Sequence, residues 1–187
     1  DVPIDRYYDC DDKEGGGADL SDYETYGFNN CDLQTMAEII DTNIMPNVTA
    51  LLGDPSDEDS DGRVSIVISP TLNVAALYSD DEDVHRNMVD VYTDPQTDLD
   101  DYDADDNPCS DEQEVIFVMA PDEIGALNPY APVPVAEYTD MLLPGLITQG
   151  LTELISYNQH VLVNESDMEA PWLTTGIGAV MADLIGF

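Results

Sequence analysis

Only four side chains in this sequence carry a fixed positive charge, Arg6, Lys13, Arg63 and Arg86, against 41 carboxylates, for a formal net charge of −37. A compact state with that imbalance repels itself unless counterions screen the carboxylates or bind them. The same charge repels nucleic-acid phosphates, and four scattered basic residues make no patch to receive them. Yet 43% of the residues are apolar, so the chain is no disordered polyanion, and 187 residues suffice for one domain with a core. The acids are 29 Asp and 12 Glu, clustered at 54–61, 80–83 and 98–106. A salt-adapted solvation surface and a set of calcium sites both account for an Asp bias, because the short Asp carboxylate suits tight loops. Clustering favours local cation sites.

Residues 1–32 contain Gly15-Gly16-Gly17, many Asp and the aromatic residues Tyr7, Tyr8, Tyr23, Tyr26 and Phe28, and read as an irregular acidic arm. Residues 33–187 read as a single α/β (α+β) domain. Asn30 or Asp32 can N-cap a helix from about Leu33 to Leu52, whose apolar set is Met36, Ile39, Ile40, Ile44, Val48, Leu51 and Leu52. Pro46 is expected to kink or divide it. Ser65–Ser69 and Glu114–Met119 are short, apolar and rich in β-branched residues, as buried strands are. A further short strand or helix is expected between Leu72 and Tyr92. The last third is helical from Val135 to about Val163, with an interruption at Pro144-Gly145, and Pro171 opens a final helix reaching about Ile185.

No apolar run is long enough to cross a membrane. No signal segment is present, and a start at Asp1 in an acidic stretch reads as a processed, secreted chain, placed outside the cell or at its surface. In that setting the three cysteines allow one disulfide. Cys10 with Cys31 closes the shortest loop. Cys109 is then left over, or pairs with another chain.

Asp57-Glu58-Asp59-Ser60-Asp61-Gly62-Arg63-Val64 has calcium-loop spacing. Carboxylates at the first, third and fifth positions converge because the glycine permits a sharp turn, the carbonyl of Arg63 then faces the ion, and Val64 anchors the loop. The twelfth position, where such loops place a bidentate Glu, is Ile68. Another carboxylate must come from elsewhere, for instance Asp54 or the 98–106 loop. No Cys/His spacing suggests zinc.

The stretch Leu146-Ile-Thr-Gln-Gly-Leu-Thr-Glu-Leu-Ile-Ser-Tyr-Asn-Gln-His160-Val-Leu-Val resembles the active-site helix of the hyicolysin-like family of zinc metallopeptidases. Pro171-Trp-Leu-Thr-Thr-Gly-Ile-Gly-Ala-Val-Met-Ala-Asp183 is similar to that family's next helix, in which a Trp-Leu-Asn-Glu-Gly stretch supplies another zinc ligand. The Asp-rich turn before Val64–Ser69 and the Ser110-Asp-Glu-Gln-Glu-Val-Ile-Phe segment before Ala120-Pro121-Asp122 are similar too. The resemblance implies one zincin-like domain with a small mixed sheet and C-terminal helices. It also implies where a His-Glu-x-x-His motif would stand, and there the chain reads Gln149-Gly150-Leu151-Thr152-Glu153. The first ligand position is Gln149, the general base is Gly150, the second ligand is Glu153, and the later ligand is Thr175. Glycine accepts no proton, and a lone Glu does not hold a divalent ion tightly.

No other catalytic pattern replaces it. His85 stands among carboxylates, His160 follows the helix, Cys109 has no partner base, and neither a nucleophile elbow nor a phosphate loop occurs. The expectation is a non-catalytic, extracellular, calcium-binding protein with a structural role, self-assembling through its arm. The alternatives are a pseudopeptidase that binds peptide at Gln149, Glu153 and Thr175, and a hydrolase acting through another site.

Overall fold

The computed structural model describes residues 30–75, 77, 90–99, 103 and 106–187, the side chains of Asn30 and Cys31 excepted. The expected arm, the Cys10–Cys31 pairing, His85 and most of the acidic runs at 80–83 and 98–106 lie outside the described residues.

The first helical stretch runs from Asn30 to Leu52 as α1 (Asn30–Ile39), a π-helical segment (Ile40–Ile44) and α2 (Met45–Leu52). It starts three residues before the expected Leu33, with Asp32 in its first turn, at the positive end of the helix dipole. Pro46 does not divide it. Proline has no N–H to give and its ring crowds the carbonyl four residues back, and the helix absorbs this by widening to π hydrogen bonding just before the proline. Ile39 and Met45, which flank the wide turn, keep right-handed helical angles. The device recurs at Pro144: a π segment, Tyr138–Leu142, joins α5 (Val135–Glu137) to α6 (Leu143–Tyr157), so the expected interruption there is a widened turn and not a break. The buried stripe of the first stretch steps by four from Ile44 through Val48 to Leu52. Leu51, expected in the core, lies off that stripe and is 62% exposed.

Three strands form one sheet: β1 (Ser65–Ser69), β2 (Val91–Tyr92) and β3 (Val115–Met119), in the order β1-β3-β2. β1 runs parallel to β3 with Ser65 opposite Val115, and β2 runs antiparallel with Val91 opposite Val118. The central strand is apolar throughout and buried at Val115, Ile116, Val118 and Met119, as a strand covered on both faces must be. Two short helices, α3 (Pro70–Ala75) and α4 (Pro95–Asp98), lie between β1 and β3 in sequence.

The core is built on α6. Leu143, Ile147, Leu151, Leu154 and Ile155 are almost fully buried against Ile116, Val118 and Met119 of β3 and Ile44 and Val48 of the first helices. A further π segment (Asn158–Val163) continues α6, and α7 (Pro171–Ile185) returns along it with Pro171 in its first turn. Buried polar groups lock the sheet to its surroundings. Asn73 of α3 is fully buried, donates to the Ala120 carbonyl at 2.8 Å and accepts from the Ala120 N–H at 2.9 Å. The Tyr138 hydroxyl donates to the Met119 carbonyl, and burial raises its pKa.

Candidate metal centre

The loop between α2 and β1 brings Asp57, Asp59 and Asp61 together. One carboxylate oxygen from each lies within 4.8 Å of the other two, and all three side chains are exposed. Backbone N–H groups aim them. Asp57 Oδ1 accepts from Gly62 N–H at 2.8 Å, Asp59 Oδ1 from Asp61 N–H at 3.0 Å, and Asp61 Oδ1 from Arg63 N–H at 2.8 Å. These are local contacts, so the sequence alone dictates them once Gly62 turns the chain. Gly62 has φ 70°, and a Cβ there would meet nothing within 4 Å, so the turn and not the space calls for glycine. Three anions so close repel one another by at most about 1 kcal/mol per pair in water, and by less once salt screens these exposed charges, and a divalent cation reverses the sign of that term. An oxygen-only donor set suits a hard cation such as calcium.

The other expected ligands are placed as follows. Arg63 is exposed and holds Asp61 through its N–H. Asp54 is exposed, and its carbonyl accepts from Asn158 Nδ2 at 3.0 Å, tying the root of the loop to the end of α6. Its carboxylate is not one of the three that converge. Nor is Asp98, from the second acidic loop.

Glu114, one residue before β3, escaped the sequence reading. It is fully buried, and its Oε1 accepts from Glu58 N–H, inside the Asp loop, at 3.1 Å. Its Oε2 and the hydroxyl of the neighbouring buried Ser56 have no hydrogen-bond partner among the described residues. The one signal in the sequence was an acid set directly against an all-apolar strand.

Asp98 closes α4 and is 6% exposed, with Oδ2 unpartnered. Burial above all, with Asp111 and Asp94 acting the same way, pushes its carboxyl up to about 6. The sign follows from proton binding. Between about pH 4 and about pH 6 the folded state holds a proton the unfolded chain has lost, so this group's contribution falls as pH rises through that window. Above it, ionised Asp98 is a standing cost. Asp98→Asn is therefore expected to stabilise the fold by about 1–2 kcal/mol near pH 7.5, once solvent screening is allowed for. Near pH 3.5 it should do almost nothing. Urea unfolding at the two pH values checks this, and an equal effect at both would contradict it.

The positions singled out by the peptidase resemblance lie on α6 and α7. Gly150 is buried and faces the sheet: a Cβ there would stand 2.5 Å from Ile116 Cγ2 and 3.3 Å from Val91 Cγ2. Gln149 faces α7 and packs on Gly178, where a Cβ would lie 2.9 Å from Gln149 Cγ. Glu153 lines a cavity of about 40 Å³ with Ser156, Met168, Glu169 and Thr174. Thr175 is exposed and does not line it, whereas its buried neighbour Thr174 does. His160 Nε2 lies 3.1 Å from Glu169 Oε1. Among the described residues, the only set of three or more His, Cys, Asp or Glu side chains arranged to hold a metal is the Asp57, Asp59, Asp61 loop. Cys109 is a free, exposed thiol. No described helix is long and apolar enough to cross a membrane.

Compared with protein-family models, with curated proteins and with solved structures, the chain matches none.

Proposed function

We propose that this is a non-catalytic, secreted, calcium-binding scaffold: a zincin-like domain of the hyicolysin-like kind whose peptidase site has degenerated, serving a structural and self-assembling role at or outside the cell surface. The observation that carries it is the convergence of Asp57, Asp59 and Asp61 in a loop whose backbone already aims them. The packing of α6 and α7 supports the degenerate part. The two helices that carry the resemblance lie side by side, with Gln149 packed on Gly178, Glu153 lining a small cavity and Thr175 exposed outside it. A peptide-binding role at the same place has less to rest on, since Gln149 packs against Gly178 and Thr175 does not line the cavity that Glu153 lines.

Self-assembly is supported by the outer face of α7. Trp172, Val180 and Leu184 are 74%, 58% and 66% exposed and stand four, eight or twelve residues apart, on one side of the helix. Asp183, exposed on the same side, is the single charged residue in that helix, so the face is mostly apolar.

Calcium tests the reading. At a hundredfold excess over its dissociation constant an ion adds about 2.7 kcal/mol, or about 5–10 °C in Tm for a domain of this size. EGTA should remove the gain, and NaCl at matched ionic strength should not reproduce it. A Tm that follows ionic strength alone would assign the acidity to general screening. Light scattering with and without calcium tests assembly, and a strict monomer under both conditions removes that part of the proposal.

A further inference from the structure

Glu114 presents an energetic problem that the fold alone does not solve. An ionised carboxylate with no exposure costs several kcal/mol unless it is paired or fully hydrogen-bonded. Glu114 has one donor, the Glu58 N–H on Oε1, and none on Oε2. The one basic-to-carboxylate contact among the described residues is His160 with Glu169, so no described basic side chain pairs with Glu114. A cation, or water ordered by one, would give Oε2 the partner it lacks among the described residues.

The place for that cation is next door. Glu58, which binds Glu114, stands between Asp57 and Asp59. Ser65 N–H donates to the Glu114 carbonyl at 2.7 Å, and Ser65 pairs with Val115, so Glu114 sits beside the exit of the Asp loop. The loop lacks the acid that its twelfth position should supply, because Ile68 belongs to β1. Ser56, whose hydroxyl is also buried and unpartnered, opens the same loop.

We infer that Glu114, whose carboxylate is not itself one of the three that converge in this structure, is the fourth carboxylate of the Asp57, Asp59, Asp61 cation site, engaging the ion through Oε2 directly or across one bound water. This rests on the calcium reading above and deepens it. The loop supplies the exposed side of the site and the central strand supplies the buried side. The ion thereby ties a surface loop to the strand on which the core is built, which is how calcium stabilises the whole domain and not the loop alone.

The experiment is a calorimetric CaCl2 titration of the whole chain and of Glu114→Gln and Asp59→Asn, with melting curves in EGTA and in calcium. Gln keeps the size of Glu and an oxygen for Glu58 N–H, and removes the charge. The expected result is a loss of calcium affinity of about tenfold or more in both variants. Wild-type binding with unchanged affinity in Glu114→Gln overturns this inference and leaves the calcium reading intact. No calcium binding by wild type overturns both. Should Glu114→Gln fail to fold, a crystal structure of wild type with calcium decides. Glu114 Oε2 at about 2.3–2.6 Å from the ion, or hydrogen-bonded to an ion-bound water, supports the assignment, and an ion held by the loop with Oε2 engaging neither overturns it.

Discussion

Gly150→Glu, which would restore the residue type that a peptidase needs as its general base, is expected to destabilise the domain by more than about 4 kcal/mol and to yield no peptidase. The argument begins at the first added atom. A Cβ at this position would lie 2.5 Å from Ile116 Cγ2 and 3.2 Å from Ile116 Cγ1. Ile116 is 1% exposed, at the second position of the central strand, with β1 paired on one side and β2 on the other. It has nowhere to go. Glycine in a helix interior is ordinarily worth replacing, since alanine gains about 1 kcal/mol. Here overpacking costs about 1–3 kcal/mol, so even Gly150→Ala should lose stability overall. Glutamate adds a carboxylate in an apolar contact, at several kcal/mol more. Urea unfolding of the two variants gives the series. Ile116→Ala, which costs about 2–5 kcal/mol alone, should cost less in the Gly150→Ala background, because it removes the atoms in conflict. If Gly150→Glu kept wild-type stability, the helix would have room for a side chain there and the packing argument would fail. The expected outcome has a consequence for the resemblance to peptidases. At the position where the resemblance would place a general base, the space a side chain would start from is filled by the sheet.

Which features could be read from the sequence follows from how local each one is. Ser65–Ser69 and Pro171–Ile185 emerge as expected, because a β-branched run and a proline in a first helical turn carry their own signals. The Asp57, Asp59, Asp61 geometry was legible for the same reason, since every hydrogen bond that aims those carboxylates spans five residues or fewer. The prolines mark where the helices change, but not how. Pro46 and Pro144 remove a helical hydrogen bond, and whether the chain then breaks or widens by one residue is decided by the packing of Ile44, Tyr138 and Leu143 in the core, which periodicity does not carry. Glu114 was illegible because its partner is Glu58, 56 residues away. Asp98 was read as part of an acidic surface loop, and only the fold places it inside.

Asp122→Ala is expected to cost about 3–5 kcal/mol, and added salt should not restore it. Most acids among the described residues are surface charges whose neutralisation is close to free. Asp59→Asn in EGTA should change stability by less than about 0.5 kcal/mol, with any gain coming from relief of repulsion. Asp122 is different. It is 4% exposed, and its two carboxylate oxygens accept three backbone N–H groups, from Ala126 at 2.6 Å, Leu127 at 3.0 Å and Asn128 at 2.8 Å. Hydrogen bonds to a charged group contribute about 1.5–3 kcal/mol each, and truncation strands their donors. The loss also spreads. Asn128 is fully buried and donates from Nδ2 to the Asn73 carbonyl at 3.1 Å, and Asn73 in turn holds Ala120 at the end of the central strand. Releasing the 122–133 loop therefore loosens the strand end that Tyr138 also grips. Asp122→Asn should cost less than Asp122→Ala, because one amide oxygen still accepts, and Asn73→Ala should add little to Asp122→Ala because the two act through one chain of contacts. Unfolding in urea at low and high NaCl separates the two kinds of acid: a salt-sensitive loss at Asp122 would make it another surface charge, and a salt-insensitive one marks a carboxylate that belongs to the interior.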